Sequence, residues 1–147
     1  MNIRDVMTPN PRSISPSDSI QNAARIMRDL NVGCVPVVDD RAHMHVSGVI
    51  TDRDMVIRCV AERHFRDCRV GDHMTIAGID TVAPDADVAE VVALMERDQV
   101  RRILVVEGRR LLGIIAQADL ALKDGPREPL VVEEVLERVS APSVRLP

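Results

Sequence analysis

GVITDRD at residues 48–54 recurs as GIIAQAD at residues 113–119. The motif ahead of it recurs in the same order, as VPVV at residues 35–38 and ILVV at residues 103–106. Two copies of one supersecondary unit normally bury their apolar faces on each other. The sequence therefore predicts two similar units that pack as a pair, and a binding site in one copy is expected to have a counterpart in the other.

Each copy is predicted to contain a helix ahead of its strands. Apolar residues fall at i, i+3, i+4 and i+7 from Ile20, and again from Val88, which is the spacing of one helix face. Ser19 is the predicted N-cap of the first helix, and Asp87 with Glu90 forms a capping-box pattern at the second. The same stripe in both copies supports both helices.

Two apolar strands follow each of these helices, and a second helix follows the strands. The strands are predicted over Val35–Val38 and Val46–Ile50, and over Ile103–Val106 and Leu111–Ile115. Polar segments of hairpin length connect them, and the second helices are predicted to begin near Asp52 and Gln117. An extended segment is predicted after each Met-Thr pair, at residues 7–8 and 74–75. Each copy is thus a β-α-β-β-α unit that is too small to bury its surfaces alone.

The chain is predicted to divide at its repeats. Residues 1–60 form the first repeat, residues 61–71 a charged and partly helical linker, and residues 72–123 the second repeat. Residues 124–147 form a tail, in which apolar spacing predicts an amphipathic helix from about Leu130 to Val139. The predicted fold class is α+β, with two repeats packed as a pseudo-two-fold pair and a C-terminal helix.

Composition narrows the class of protein. Of the 147 residues, 46% are hydrophobic, which is enough for a core. The net charge of −4 argues against a nucleic-acid partner, because no basic stripe dominates. No apolar run approaches the length of a membrane span, so no membrane association is expected. Three cysteines and the lack of a signal-peptide pattern predict reduced thiols in the cytoplasm.

These motifs match a known family. The tandem unit, the segment VGCVPVVD at residues 32–39 and GVITDRD at residues 48–54 resemble the CBS domain pair, or Bateman module. The resemblance covers about residues 3–123, most of the chain, and is closest in pattern to stand-alone two-CBS proteins of bacteria and archaea. TDRDMVIR at residues 51–58 and QVRR at residues 99–102 resemble the hypoxic-response type.

The resemblance implies a module, often a homodimer, with two clefts for adenosine-containing ligands such as AMP, ADP, ATP, NAD(H) or S-adenosylmethionine. In the family motif G-x-x-[ST]-x-x-D, the Asp holds ribose hydroxyls and the Ser or Thr helps to hold phosphate. Thr51 and Asp54 match this motif, whereas in the second copy Asp119 matches and Ala116 replaces the hydroxyl. The implied ligand-binding clefts join Thr51, Arg53 and Asp54 with Val100, Arg101 and Arg102, and Ala116, Ala118 and Asp119 with Val32, Gly33 and Cys34.

The Thr51 motif has two interpretations. The Asp54 carboxylate suits a ribose diol, and Arg53, Arg101 and Arg102 offer positive charge to a phosphate. Thr51-x-x-Asp54 is equally a helix-capping box that needs no ligand, and exposed arginines are commonly solvated. Asp119 favours the ligand interpretation because its capping partner has been lost. The sequence therefore predicts unequal clefts, with a phosphate-bearing ligand in the one that contains Thr51.

Cysteine and histidine residues cluster between the repeats. The candidate zinc ligands are Cys59, His64, Cys68 and His73, and a nearby loop carries His43 and His45. Their spacing fits no standard zinc motif, so no metal is expected and a structural or incidental role is favoured. A redox-sensing thiol is a further hypothesis for this region.

The sequence shows no catalytic constellation, because it contains no P-loop, no G-x-G-x-x-G and no nucleophile elbow. The leading hypothesis is a non-enzymatic sensor that binds an adenosine-containing ligand and signals, by a shift in packing, to an unidentified protein partner. Two alternatives stay open. One is a metal- or thiol-dependent stress-response protein without nucleotide binding, and the other is a structural dimeric interaction module with empty clefts.

Overall fold

The computed structural model describes residues 2–63 and 67–123. In chain order its elements are α1 (Ile3–Val6), β1 (Thr8–Pro9), α2 (Ile20–Leu30), β2 (Cys34–Asp40), β3 (His45–Thr51), α3 (Asp52–Asp54), a π-helix (Met55–Val60), α4 (Val70–His73), β4 (Thr81–Val82), α5 (Val88–Asp98), β5 (Arg102–Glu107), β6 (Arg110–Ala116) and α6 (Gln117–Lys123). The fold is α+β, as predicted. The helix predicted over Leu130 to Val139 lies outside the described residues.

The chain forms two compact units, which we name after the acidic residue that ends each motif. The described residues of the Asp54 unit are 11–63, 67–79 and 108–111. Those of the Asp119 unit are 2–10, 80–107 and 112–123. These units differ from the sequence repeats, because each takes its opening segment from the other copy.

In the Asp54 unit, α2 packs on the antiparallel pair of β2 and β3. Ser19 caps α2 as predicted, since its side chain accepts a hydrogen bond from the Asn22 N–H at 3.0 Å. Asn31 ends the helix in the left-handed conformation, in which asparagine is tolerated better than most residues. The core consists of apolar side chains from both layers, namely Ile14, Ala23, Ile26, Met27, Val35, Val37, Ile50, Met55 and Val70.

Replacing Ser19 with alanine is expected to lower the free energy of unfolding by about 1 kcal/mol, because an N-terminal amide of α2 loses its acceptor. Urea denaturation measures this change. Ser17 serves as the control, since among the described residues its exposed hydroxyl bonds only to the neighbouring Ser15 hydroxyl. Ser17→Ala should change stability by less than about 0.5 kcal/mol. Equal effects of the two substitutions would contradict the capping role.

The Asp119 unit contains α5 and two pairs of strands. Strand β4 runs parallel to β5, and β1 runs antiparallel to β6. Asp87 caps α5 by accepting from the Ala89 N–H at 3.2 Å. Within the described chain Glu90 returns no side-chain hydrogen bond, and Asp87 accepts from the second amide of the helix instead of the third, so the predicted capping box does not form and Asp87 is a simple N-cap. The core of this unit is Ile3, Val6, Met7, Val82, Ala86, Val91, Met95, Ile103, Val105, Ile115 and Leu120.

The two Met-Thr segments explain the exchange between repeats. Thr8, from the start of the first repeat, pairs with Ile114 on β6 of the Asp119 unit. Thr75, from the start of the second repeat, pairs with Val49 on β3 of the Asp54 unit, through backbone hydrogen bonds of 3.0 and 2.8 Å. Each repeat therefore supplies a short extended segment to the sheet of the other, and the one-turn helices α1 and α4 come directly before these segments.

Candidate functional site

The Thr51–Asp54 motif forms a complete capping box at the start of α3. The Thr51 hydroxyl oxygen accepts from the Asp54 N–H, and the Asp54 carboxylate accepts from the Thr51 N–H, each at 3.0 Å. The structural interpretation of this motif is therefore confirmed. The Thr51 hydroxyl hydrogen makes no hydrogen bond within residues 2–63 and 67–123, so it can still donate to a ligand.

Asp54 is buried and has further partners that the sequence did not predict. The Thr75 hydroxyl donates to both of its carboxylate oxygens at 3.1 Å, and the Arg58 guanidinium lies 3.8 Å from Oδ1. Arg58 also donates to the backbone carbonyls of His73 and Met74 at 3.1 and 3.0 Å. Asp54 thus connects α3 to the segment that carries the second Met-Thr pair.

Asp119 has a different environment from Asp54. Its Oδ2 accepts from the Ala116 N–H at 2.8 Å, which is half of the capping box that Asp54 makes. The residue is half-buried, and its Oδ1 receives no hydrogen bond from any residue that the structure describes. The Asp119 carboxylate is therefore held in a fixed orientation with one oxygen available to a ligand.

The loop segments predicted to line the clefts each lie beside the motif of their own repeat. In the Asp54 unit, Cys34 pairs with Thr51, and the Asp52 N–H donates to the Gly33 carbonyl at 3.0 Å, while Val32 precedes them. A Cβ on Gly33 would lie only 3.0 Å from a carboxylate oxygen of Asp52. The absence of a side chain therefore lets the loop approach the start of α3.

The second repeat has the same arrangement. The Gln117 N–H donates to the Arg101 carbonyl at 2.9 Å, which places the loop beside the start of α6. Val100 packs against the core of the unit, whereas the side chains of Arg101 and Arg102 are exposed. Arg53, in the Asp54 unit, is also exposed. The combination of one repeat's motif with the other repeat's loop stays a prediction.

Cys59, Cys68 and His73 come together in the Asp54 unit. Their ligand atoms all lie within 4.8 Å of one another, and the two Sγ atoms are 3.2 Å apart. Cys59 is 3% exposed and His73 is 8% exposed. Three of the four metal candidates named from the sequence thus form one cluster, and the fourth, His64, lies outside the described residues.

The environment of Cys68 opposes its ionisation. Burial, the Cys59 thiol and the negative charges of Asp72 and Asp67 raise the pKa of Cys68 to about 11. Negative charges nearby disfavour the Cys68 thiolate, so the thiol form persists at neutral pH. The same charges favour a bound cation.

The loop histidines lie outside this cluster. His43 Nδ1 contacts the Asp40 carboxylate, and its ring centroid is 5.4 Å from that of His45. The hydrogen bonds from His43 lower the pKa of Asp40. Asp40 and His43 therefore organise the turn between β2 and β3.

A family comparison matches both sequence repeats. The CBS domain model matches residues 3–60 and 70–123. The chain belongs to the CBS domain family. Its relatives include the Bacillus subtilis protein YlbB, with 38% identity over 126 residues that cover 86% of this chain and 84% of YlbB. Hypoxic response protein 1 of Mycobacterium tuberculosis is 31% identical over 118 residues, which cover 80% of this chain and 81% of that protein.

Solved CBS structures also resemble this chain. Hypoxic response protein I, described with two coordinated zinc ions, has a TM-score of 0.73 and 29% identity over 82% of this chain and 97% of its own. The complex of CBSX2 with AMP has a TM-score of 0.69 and 25% identity over 82% of this chain and 93% of its own. The CBS pair of MJ0100, bound to 5-methylthioadenosine and S-adenosylmethionine, has a TM-score of 0.72 and 25% identity over 85% of this chain and 96% of its own.

Within residues 2–63 and 67–123, no helix is both long enough and apolar enough to cross a membrane.

Proposed function

We propose that this CBS pair is a non-enzymatic regulatory protein that binds an adenosine-containing ligand, such as AMP, ATP, NAD(H) or S-adenosylmethionine. The observation that carries the proposal is the Asp119 carboxylate, which is fixed by the Ala116 N–H and keeps Oδ1 available. A carboxylate oxygen in this state can accept hydrogen bonds from a ribose diol. CBSX2 with AMP and MJ0100 with S-adenosylmethionine support this ligand class.

The Thr51 motif is proposed to take the phosphate-bearing ligands of this class. Thr51 retains a hydroxyl hydrogen, whereas the corresponding Ala116 has none. Asp54 is already engaged by Thr51, Thr75 and Arg58, so it is the weaker ribose acceptor of the two. The two motifs therefore divide the ligand chemistry, with phosphate favoured at Thr51 and the nucleoside favoured at Asp119.

The chain contains no Trp or Tyr and a single Phe. An adenine base would accordingly pack between aliphatic side chains instead of stacking on an aromatic ring. We propose that binding shifts the packing of a cytoplasmic homodimer and that a protein partner responds to the shift. Val56, Ile57 and Val60 of the π-helix are about half exposed and support self-association. A role in a stress response is part of the same proposal.

Isothermal titration calorimetry with AMP, ATP, NADH and S-adenosylmethionine tests the ligand proposal. Asp119→Ala is expected to weaken the binding of S-adenosylmethionine by about 10- to 100-fold, because hydrogen bonds to a charged acceptor contribute about 1.5–3 kcal/mol. Asp85→Ala is the matched control, since this exposed carboxylate of the same unit belongs to neither motif. The absence of binding heat with all four ligands, or an unchanged affinity of Asp119→Ala for S-adenosylmethionine, would contradict the proposal.

Thr51→Ala tests whether the two motifs differ in the ligands that they bind. The substitution should weaken AMP and ATP more than S-adenosylmethionine, because only the first two carry phosphate. An equal loss for all three ligands would indicate that Thr51 acts through the capping box alone.

A further inference from the structure

We infer that Cys59, Cys68 and His73 form a zinc site within the Asp54 unit, separate from the adenosine ligand proposed above. The donor set contains two sulfur atoms and one imidazole nitrogen. Thiolate and imidazole ligands are those that Zn²⁺ takes in proteins, whereas Mg²⁺ and Ca²⁺ take oxygen ligands. The chemical class of the ion follows from these donors.

The distances suit a tetrahedral ion. Ligand atoms at about 2.0–2.3 Å from zinc lie about 3.5–3.8 Å from one another in tetrahedral geometry. The two Sγ atoms are 3.2 Å apart, and all three donors lie within 4.8 Å of one another. Coordination therefore requires the separations between donor atoms to change by about 1 Å or less.

The backbone holds all three ligands in place. Cys59 lies in the π-helix, a helix type that is often found at functional sites. The Cys68 carbonyl accepts from the Ile20 N–H at 2.9 Å, and the Val70 N–H donates to the Asp18 carbonyl at 2.8 Å. His73, at the end of α4, is fixed through its own carbonyl by Arg58. The ligand positions are thus set before any metal arrives.

Charge and access also favour a cation here. Asp67 and Asp72 exert their negative charge on the Cys68 thiol, and two thiolates with one neutral imidazole balance the charge of Zn²⁺. Both cysteines line a surface cavity of about 640 Å³ that Ser19 and Gln21 also border. The cavity provides an entry path and room for the fourth ligand that a tetrahedral zinc ion takes.

Zinc at this position would join two segments that already meet at Asp54. Cys59 follows Arg58, and His73 comes two residues before Thr75, so both partners of Asp54 adjoin a metal ligand. Binding releases the two thiol protons and ties the π-helix to α4. The metal would thereby restrain Arg58 and Thr75, which contact the Asp54 carboxylate of the capping box.

Metal analysis of the full-length protein, purified without an affinity tag, tests this site. We expect one equivalent of zinc per chain by inductively coupled plasma mass spectrometry. Replacement by Co²⁺ should give thiolate-to-cobalt charge-transfer absorption and the visible bands of a tetrahedral ion. Zinc affinity should fall by more than about 100-fold in each of Cys59→Ser, Cys68→Ser and His73→Ala. Even the loss of an outer hydrogen-bond partner of a ligand lowers metal affinity by about 10–100-fold.

Cys34→Ser and His45→Ala are the matched controls, because both residues belong to the same unit and neither is in the cluster. Both variants should keep the wild-type cobalt spectrum and zinc affinity. The wild-type cobalt spectrum does not depend on the folding of any variant. The site is refuted if wild-type protein gives no thiolate-to-cobalt absorption, if Cys34→Ser abolishes it, or if Cys59 and Cys68 form a disulfide in the presence of excess zinc.

Discussion

Gly48→Ala is expected to lower the free energy of unfolding by about 3 kcal/mol. A Cβ at residue 48 would lie 2.6 Å from the Thr75 backbone carbonyl oxygen and 3.2 Å from the Met74 sulfur. The carbonyl cannot move aside without breaking the pairing of Thr75 with Val49, and added atoms in a packed interior cost about 1–3 kcal/mol or more. Urea denaturation followed by circular dichroism measures the change.

Gly108→Ala provides the control for this substitution. A Cβ there meets no heavy atom within 4 Å, and its φ of +62° makes backbone conformation the source of any cost. The left-handed conformation costs an alanine about 1–2 kcal/mol. A loss at Gly48 no greater than the loss at Gly108 would show that the Met-Thr segment does not pack against β3 as described.

Asp54→Ala is expected to lower the free energy of unfolding by about 2–4 kcal/mol. The substitution removes the acceptor of the Thr51 N–H and of the Thr75 hydroxyl, together with the ion-pair partner of Arg58. Hydrogen bonds to a charged group contribute about 1.5–3 kcal/mol each, and the donors left without an acceptor are partly buried. Chemical denaturation at neutral pH measures the loss.

Asp119→Ala is the comparison for Asp54, because it occupies the same position of the other repeat. Among the residues that the structure describes, it accepts from a single N–H, that of Ala116, so its removal should cost about 1 kcal/mol, as for an N-cap. Equal destabilisation by the two substitutions would mean that Thr75 and Arg58 contribute nothing at Asp54. The comparison also shows whether loss of ligand at Asp119 can be measured in a folded protein.

The sequence predicted the elements that repeat with clear periodicity. The stripes from Ile20 and Val88 became α2 and α5, and both predicted hairpins formed. The capping box of Thr51 and Asp54 was also foreseen, because its spacing is local. Agreement between two copies compensates for the ambiguity of any single short segment.

The remaining features depend on contacts that are distant in sequence. The one-turn helices α1 and α4 are too short to show a period. Thr75 and Arg58 became partners of Asp54 only because the second Met-Thr segment lies along β3. The spacing of the cysteines and histidines matches no local zinc motif, yet α4 brings His73 back to Cys59. The repeated Met-Thr pair was the available signal for this exchange.

The exchange of Met-Thr segments also determines when the chain can fold during translation. The Asp54 unit needs Thr75 beside Val49, and it needs Arg109 and Leu111 for backbone hydrogen bonds to Val46 and Met44 at 2.9 and 2.8 Å. When only the first repeat has left the ribosome, the sheet of the Asp54 unit is therefore incomplete. Neither unit can complete its sheet until most of the second repeat has been synthesised. Chaperones and proteases in the cell would encounter the nascent chain during that interval, although the finished protein hides the same edges.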